Sequence, residues 1–247
     1  MKISQAKYIH FVGIGGIGTS AVAQILKARG KIISGSDTVP SDITKSLKNS
    51  GIKVSIGHSE KTVSRRHQLV IYSPAIPKNN PELAAARRLK IETLSYPQAL
   101  GELSKDYFTI AISGTHGKST TTAMTALILE KGGLDPTVVI GTKIRQFGNK
   151  NFRIGKSKYL VLEACEYKRS FLEINPDILI ITNIEAEHLD YYKNLADYKS
   201  AFTQLAKKVP ASGFIIIDPT DKNAKSAVKP AKAKIMTIVE NSLSPHP

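Results

Sequence analysis

The strongest chemical signal in this chain is Ser113-Gly114-Thr115-His116-Gly117-Lys118-Ser119-Thr120. An apolar run, residues 107–112, leads into it, and a helical stretch, residues 120–131, follows and stops at Gly132-Gly133. Glycines let backbone N–H groups turn toward an anion, and a helix start adds a favourable dipole. In that setting Lys118 reaches the β- and γ-phosphates of a nucleotide, and Ser119 offers its hydroxyl to Mg²⁺. The full phosphate-loop pattern asks for a further Gly where this chain has Ile112, so the match is to the shorter G-x-x-G-K-S form.

Open α/β sheets carry their chemistry at the carboxyl ends of their strands. Glu163 follows the apolar run 159–162, with Glu166 just beyond it. Asn183, Glu185, Glu187, His188 and Asp190 follow the run 178–182. Carboxylates and an imidazole on that edge suit a Mg²⁺ ion bridging nucleotide phosphates. Cys165 lies between Glu163 and Glu166. As a nucleophile it needs a base in hydrogen-bond reach; a small buried thiol is the expected reading.

A second glycine loop lies near the N-terminus. Gly13-Ile14-Gly15-Gly16-Ile17-Gly18 fits G-x-G-x-x-G between a strand and a helix. Asp37 stands at the end of the next strand, placed for a ribose hydroxyl. The loop seats any pyrophosphate, because a helix N-terminus reads charge rather than cofactor identity. An NAD-linked oxidoreductase or sensor built on this loop is therefore an alternative, although it leaves residues 114–119 unexplained.

The elements that must position these groups alternate. Residues 8–12, 31–34 and 68–72 read as strands, and 20–28, 43–49 and 82–89 as helices, which implies βαβ units and a parallel sheet. Residues 97–105, with Gly101 and mixed polarity, read as a connector. A second α/β run follows, with strands at 107–112, 159–162, 178–182 and 214–217. Leu195, Tyr198, Phe202, Leu205 and Val209 recur at spacings of three and four, the mark of an amphipathic helix. Residues 234–239 suit a last strand and 242–247 a loose end. The expected fold is α/β: a Rossmann-like parallel-sheet domain over 1–102, then a partial P-loop-type ATPase domain over 106–247.

Composition bounds the alternatives. The chain has 247 residues, 41% of them apolar, enough for a real core and too many for a disordered chain. No run approaches the ~18 apolar residues of a membrane span, and residues 8–17 lack the pattern of a secretory signal. A single cysteine excludes an internal disulfide framework and a multi-cysteine zinc site. A reducing, cytoplasmic setting is expected. The net charge of +15 suits a polyanionic or phosphorylated partner. Part of the excess sits in residues 222–234, where Lys222, Lys225, Lys229, Lys232 and Lys234 meet no acid, and a flexible basic segment is expected. No recognition helix, zinc finger or aromatic-studded RNA motif accompanies it, so no nucleic-acid partner is expected.

The two glycine loops together with Glu163-Ala164-Cys165-Glu166 and Thr182-Asn183-Ile184-Glu185-Ala186-Glu187-His188-Leu189-Asp190 resemble the Mur ligases. The resemblance runs to about the strand at Phe214. It implies a first domain that holds the UDP part of UDP-N-acetylmuramate, with Gly13, Gly15, Gly16, Ile17 and Gly18 at the pyrophosphate and Asp37 and Ser73 close by. It implies a central domain that holds ATP at Gly114, Thr115, His116, Gly117, Lys118, Ser119 and Thr120. Ser119, Glu163 and His188 match positions that serve Mg²⁺, and Asn183 a nearby site position; Lys118, Glu163, Asn183 and His188 are the implied catalytic set. The implied reaction, in peptidoglycan precursor synthesis, joins L-alanine to the muramate carboxylate through an acyl phosphate.

Two departures stand out: Cys165 replaces an Asp common in the family, and family members continue well beyond this length into a third domain, which this chain is expected to lack. The central domain is therefore expected to be incomplete. An inactive nucleotide-binding fragment and a recycling ligase that attaches a tripeptide to the same sugar nucleotide are the alternatives within the family.

Overall fold

The computed structural model describes residues 3–238. Five strands, β1 (Tyr8–Val12), β2 (Ile32–Asp37), β3 (Lys53–Ile56), β4 (Leu69–Tyr72) and β5 (Glu92–Ser95), form one sheet in the order β3-β2-β1-β4-β5. All neighbours run parallel. Helices α1 (Ile17–Ala28), α2 (Asp42–Asn49) and α3 (Pro81–Arg88) join strands of this sheet, and α4 (Tyr96–Ser104) follows β5. Alternate residues of β1 serve opposite faces, as the pleat requires. Ile9 and Phe11 join the core with Ala21 and Ile25 of α1. Val12 packs with Leu83 and Ala86 of α3.

A second sheet holds β6 (Phe108–Ser113), β7 (Thr137–Ile144), β8 (Lys150–Arg153), β9 (Tyr159–Glu163), β10 (Ile178–Ile181), β11 (Phe214–Ile217) and β12 (Lys234–Thr237), in the order β12-β11-β10-β6-β9-β7-β8. Only β8 runs antiparallel, to β7. Helix α5 (Lys118–Lys131) sets Ala126 against Ile110 and Val161 on one face. The other face carries α6 (Leu195–Ala206) and α7 (Lys222–Val228), through Tyr198, Phe202 and Val228. No helix of the described residues is long and apolar enough to cross a membrane.

Two expectations are corrected. Residues 97–105 are not a connector, because α4 occupies Tyr96–Ser104. Ser95 and Gln98 form a reciprocal capping box, Pro97 falls within the first turn, and Ala99, Leu100 and Leu103 are buried. Nor are residues 222–234 a flexible basic segment. Asp221 caps α7 by accepting from Asn223 and Ala224 N–H, and Ala224, Ala227 and Val228 bury its inner face. The lysines solvate the outer face, and β12 pairs with β11. The four-residue strands β3 and β5, both at sheet edges, and the β7–β8 hairpin carry too little pattern to be read from sequence. The expected loose end 242–247 lies outside the described residues, as does Val239 of the expected last strand.

The first sheet also buries a polar network. Glu82 has no solvent exposure. Its carboxylate accepts from Ser36 Oγ at 2.5 Å and Thr62 Oγ1 at 2.6 Å, and His10 Nε2 lies 3.6 Å away. Burial alone would raise the Glu82 pKa, but the adjacent His10 and the hydrogen bonds from Ser36 and Thr62 hold it at about 2. His67, joined to His10 through Ser34, is pushed down to about 4 by burial and by the charge of His10. Both shifts favour the deprotonated form on folding, so stability falls as pH drops. His67 contributes between its ordinary 6.5 and about 4, and Glu82 between 4.5 and about 2. Urea unfolding across that pH range is expected to show both windows. His67→Gln flattens the upper one alone, and Glu82→Gln costs about 3 kcal/mol at neutral pH.

Candidate functional site

The turn after β6 is held before any ligand arrives. Ser113 Oγ donates to Ala164 O at 2.9 Å, and Ala164 N–H donates to Ile112 O at 2.8 Å. The chain then passes Gly114 at φ +138° and Gly117 at φ +77°, angles that side chains resist. Asn183 acts as the template for the turn. Its carbonyl accepts from Thr115 N–H at 3.0 Å, and its Oδ1 accepts from His116 N–H at 2.9 Å. Its Nδ2 donates to His116 O at 3.1 Å, which also takes Thr182 Oγ1 at 2.6 Å. Thr115 Oγ1 accepts from Glu185 N–H at 2.9 Å and sits 3.2 Å from Tyr198 OH. Burial pushes the Tyr198 pKa up, so its phenol stays protonated. Helix α5 starts at Lys118, and the N–H groups of its first turn have no intrahelical acceptor. They are available to an anion.

Lys118 Nζ donates to Gly114 O at 2.7 Å, to Thr115 O at 2.9 Å and to Glu166 Oε1 at 3.1 Å. Glu166 is fully buried, and its Oε1 lies 3.4 Å from His188 Nε2. Glu166, Glu187 and His188 each offer a ligand atom, all within 4.8 Å of one another. Oε2 of Glu166 and Oε2 of Glu187 are buried without a hydrogen-bond partner. Orphaned carboxylate oxygens in such a place fit a divalent cation. On the other side of the loop, Ser119 Oγ donates to Glu163 Oε2 at 2.8 Å, and Gly141 N–H donates to the same oxygen at 2.9 Å. The residues matched to Mg²⁺ thus fall into two places. Ser119 and Glu163 meet directly, whereas His188, at φ +54°, turns to Glu166.

The N-terminal glycine loop borders a cleft of about 690 Å³. Gly13, Gly15, Gly16, Asp37 and Ser73 line it, and so do Thr38, Ser41, His58 and Asn80, which sequence reasoning missed. His58 sits after β3, at the carboxyl edge, so recognising that strand would have found it. Gly13 takes φ +78°, and a Cβ there would meet Ser73 Cβ at 3.0 Å. Asp37 Oδ2 accepts from Gly15 N–H at 2.7 Å and its Oδ1 from Thr38 N–H at 2.8 Å, so this carboxylate shapes the loop. Ile17 and Gly18 do not line the cleft. Gly18 lies under the ring of Tyr96, where any side chain would collide. Burial, followed by the nearby Cys165 and Glu163, pushes the Tyr96 pKa up.

Cys165 is exposed, which corrects the expected buried thiol. Its neighbour Ala164 takes the inward position, pinned to β6 through its backbone. His116 and Glu185 form an exposed pair at 3.9 Å. Asp190 accepts from Tyr167 OH at 3.0 Å, beside the His188 ring.

With this geometry in place, comparison with known proteins is informative. Residues 8–108 match the model for the Mur ligase family, catalytic domain, and residues 112–246 that for the Mur ligase middle domain. A UDP-N-acetylmuramate–L-alanine ligase of Acetivibrio thermocellus is 46% identical over 96% of this chain and 50% of that protein. One of Clostridium botulinum (strain Okra) is 44% identical over 96% and 51%. Among solved structures, a UDP-N-acetylmuramate–alanine ligase from Thermotoga maritima matches with TM-score 0.81 at 31% identity, over 95% of this chain and 53% of that one. A UDP-N-acetylmuramate:L-alanyl-gamma-D-glutamyl-meso-diaminopimelate ligase from Neisseria meningitides matches with TM-score 0.86 at 26% identity, over 94% and 77%. The chain spans about half the length of the L-alanine ligases it matches.

The template role of Asn183 is open to a direct check. Asn183→Ala removes both side-chain bonds to the His116 backbone, each worth about 1 kcal/mol. The His116 amide is expected to exchange about tenfold faster, with the far-UV spectrum unchanged; unaltered exchange would show that the turn holds itself.

Proposed function

This chain belongs to the Mur ligase family, and we propose that it provides the UDP-N-acetylmuramate and Mg-ATP sites of a ligase that attaches L-alanine to the muramate carboxylate. The observation that carries this reading is the pairing, in one chain, of two strand–turn–helix loops with different equipment. The loop at residues 13–18 borders a cleft and leads into the helix start at Ile17. The loop at residues 114–120 adds Lys118 and Ser119, backed by Glu166 and Glu163. The relatives named UDP-N-acetylmuramate–L-alanine ligases support this choice of substrates.

The chemistry then has two displacements. The muramate carboxylate oxygen attacks the γ-phosphorus of ATP, ADP leaves, and an acyl phosphate forms. The L-alanine amine attacks the acyl carbon, phosphate leaves, and the amine proton passes to solvent. Attack of one anion on another needs their charges offset, which is the task of Lys118 and the N-terminus of α5. Lys118 exchanges its loop carbonyls for β- and γ-phosphate oxygens. Asn183 and Thr115 keep the turn shaped while that happens. Ser119 and Glu163, with His188 and Glu166 nearby, would hold Mg²⁺, which when bound would further neutralise the phosphates. The reaction belongs to peptidoglycan precursor synthesis in the cytoplasm.

The test starts from binding. Calorimetry is expected to show separate sites for Mg-ADP and UDP-N-acetylmuramate. Removing a charge-assisted contact costs about 1.5–3 kcal/mol, so Lys118→Ala weakens Mg-ADP at least tenfold and leaves the sugar nucleotide alone. In turnover assays phosphate release requires Mg-ATP, UDP-N-acetylmuramate and L-alanine together. Release driven by a tripeptide instead of L-alanine would assign the recycling reaction. Binding of NADH in place of the sugar nucleotide would overturn the reading.

A further inference from the structure

We infer that Asn151 is a positioning residue that ties the two loops together, so that a ligand on one favours a ligand on the other. The inference rests on the proposed function for the identity of the two ligands. Asn151 lies on β8 and is 6% exposed. Its Nδ2 donates to Ile17 O at 2.7 Å and to Ile140 O at 3.4 Å. Ile17 opens α1, directly after the glycines that line the first cleft. Ile140 lies on β7 beside Gly141, whose N–H donates to Glu163 Oε2 at 2.9 Å. That oxygen also takes the Ser119 hydroxyl at 2.8 Å.

A continuous polar path therefore runs from the first turn of α1, through one buried amide, to the carboxylate that holds Ser119. Packing keeps the path short. At Gly141 a Cβ would stand 2.9 Å from Glu163 Oε1, so the strand approaches as closely as glycine permits. The Tyr96 ring rests on Gly18, the next residue of α1. An anion on the first loop orders the Ile17 carbonyl, and Asn151 passes that order to β7 and Glu163. By reciprocity, a nucleotide that engages Ser119 and Glu163 orders α1 by the same factor. The expected coupling is about fivefold, the worth of one buried hydrogen bond.

Removing the amide need not unfold the chain. Ile17 O keeps Ser20 Oγ at 2.9 Å as a second partner, so Asn151→Leu, of similar shape and without donors, is the variant to use. Calorimetry on the whole chain measures UDP-N-acetylmuramate affinity with and without saturating Mg-ADP. The parent chain is expected to gain about fivefold. Asn151→Leu is expected to bind each ligand alone within about twofold of the parent and to lose the gain. A gain that survives the substitution, or no gain in the parent, overturns the inference. If neither ligand binds, the proposed function is what fails, and the strut is judged by hydrogen exchange of the free chain. Exchange at Ala21 and Gly141 N–H rises at least threefold in Asn151→Leu if the strut exists; unchanged exchange at both overturns it.

Discussion

A carboxylate with no solvent exposure must be paired, and Glu166 imposes that demand on everything around it. Lys118 at 3.1 Å and His188 at 3.4 Å both approach its Oε1, and Oε2 is left without a protein partner. Meeting Glu166 keeps the Lys118 ammonium curled over its own loop, where it also takes the carbonyls of Gly114 and Thr115. His188 meets the same oxygen from a left-handed backbone conformation, φ +54°. The Tyr192 hydroxyl donates to the Glu166 carbonyl, and burial pushes the Tyr192 pKa up to about 12, so the donor stays a donor. The polar centre of the second sheet is thus organised before substrate arrives, which is what electrostatic catalysis requires.

The two loops use one backbone device with different side chains. Both follow a parallel strand, both turn through glycine, and both end in a helix start, a place that suits an anion. In the first, Asp37 spends its oxygens on the N–H groups of Gly15 and Thr38, which leaves a cleft with few fixed charges. In the second, Lys118 and Ser119 stand at the helix start, held by Glu166 and Glu163, and under the proposed function they would turn to the phosphates. A site that only holds a pyrophosphate needs the first kind. A site that transfers a phosphoryl group needs the second.

Much of this was legible in sequence, for physical reasons. Glycines with positive φ, a lysine at a helix start and acids after apolar runs are local signals, and the parallel-sheet architecture follows from strand–helix alternation. Less legible were features that depend on distant partners. Glu82 looks like an ordinary helix-start acid until His10, Ser36 and Thr62 are folded onto it. Asn151 is one polar residue in a short edge strand until its amide meets Ile17. The division of the expected metal residues was also hidden. Spacing put Glu163 and His188 on one sheet edge, but Glu166, three residues on, claims the histidine. Helix α4 was missed because Gly101 and Pro97 weaken its pattern, while its capping box acts only once Ser95 and Gln98 face each other.

The central claim is that one chain holds a sugar-nucleotide loop and a separate Mg-nucleotide loop. Residue-by-residue amide shifts in a two-ligand NMR titration test it most directly. UDP-N-acetylmuramate is expected to move the amides of residues 13–16, Thr38 and Ser73, and Mg-ADP those of residues 114–120. Both ligands moving the same set, or Mg-ADP leaving residues 117–119 unmoved, would contradict the account.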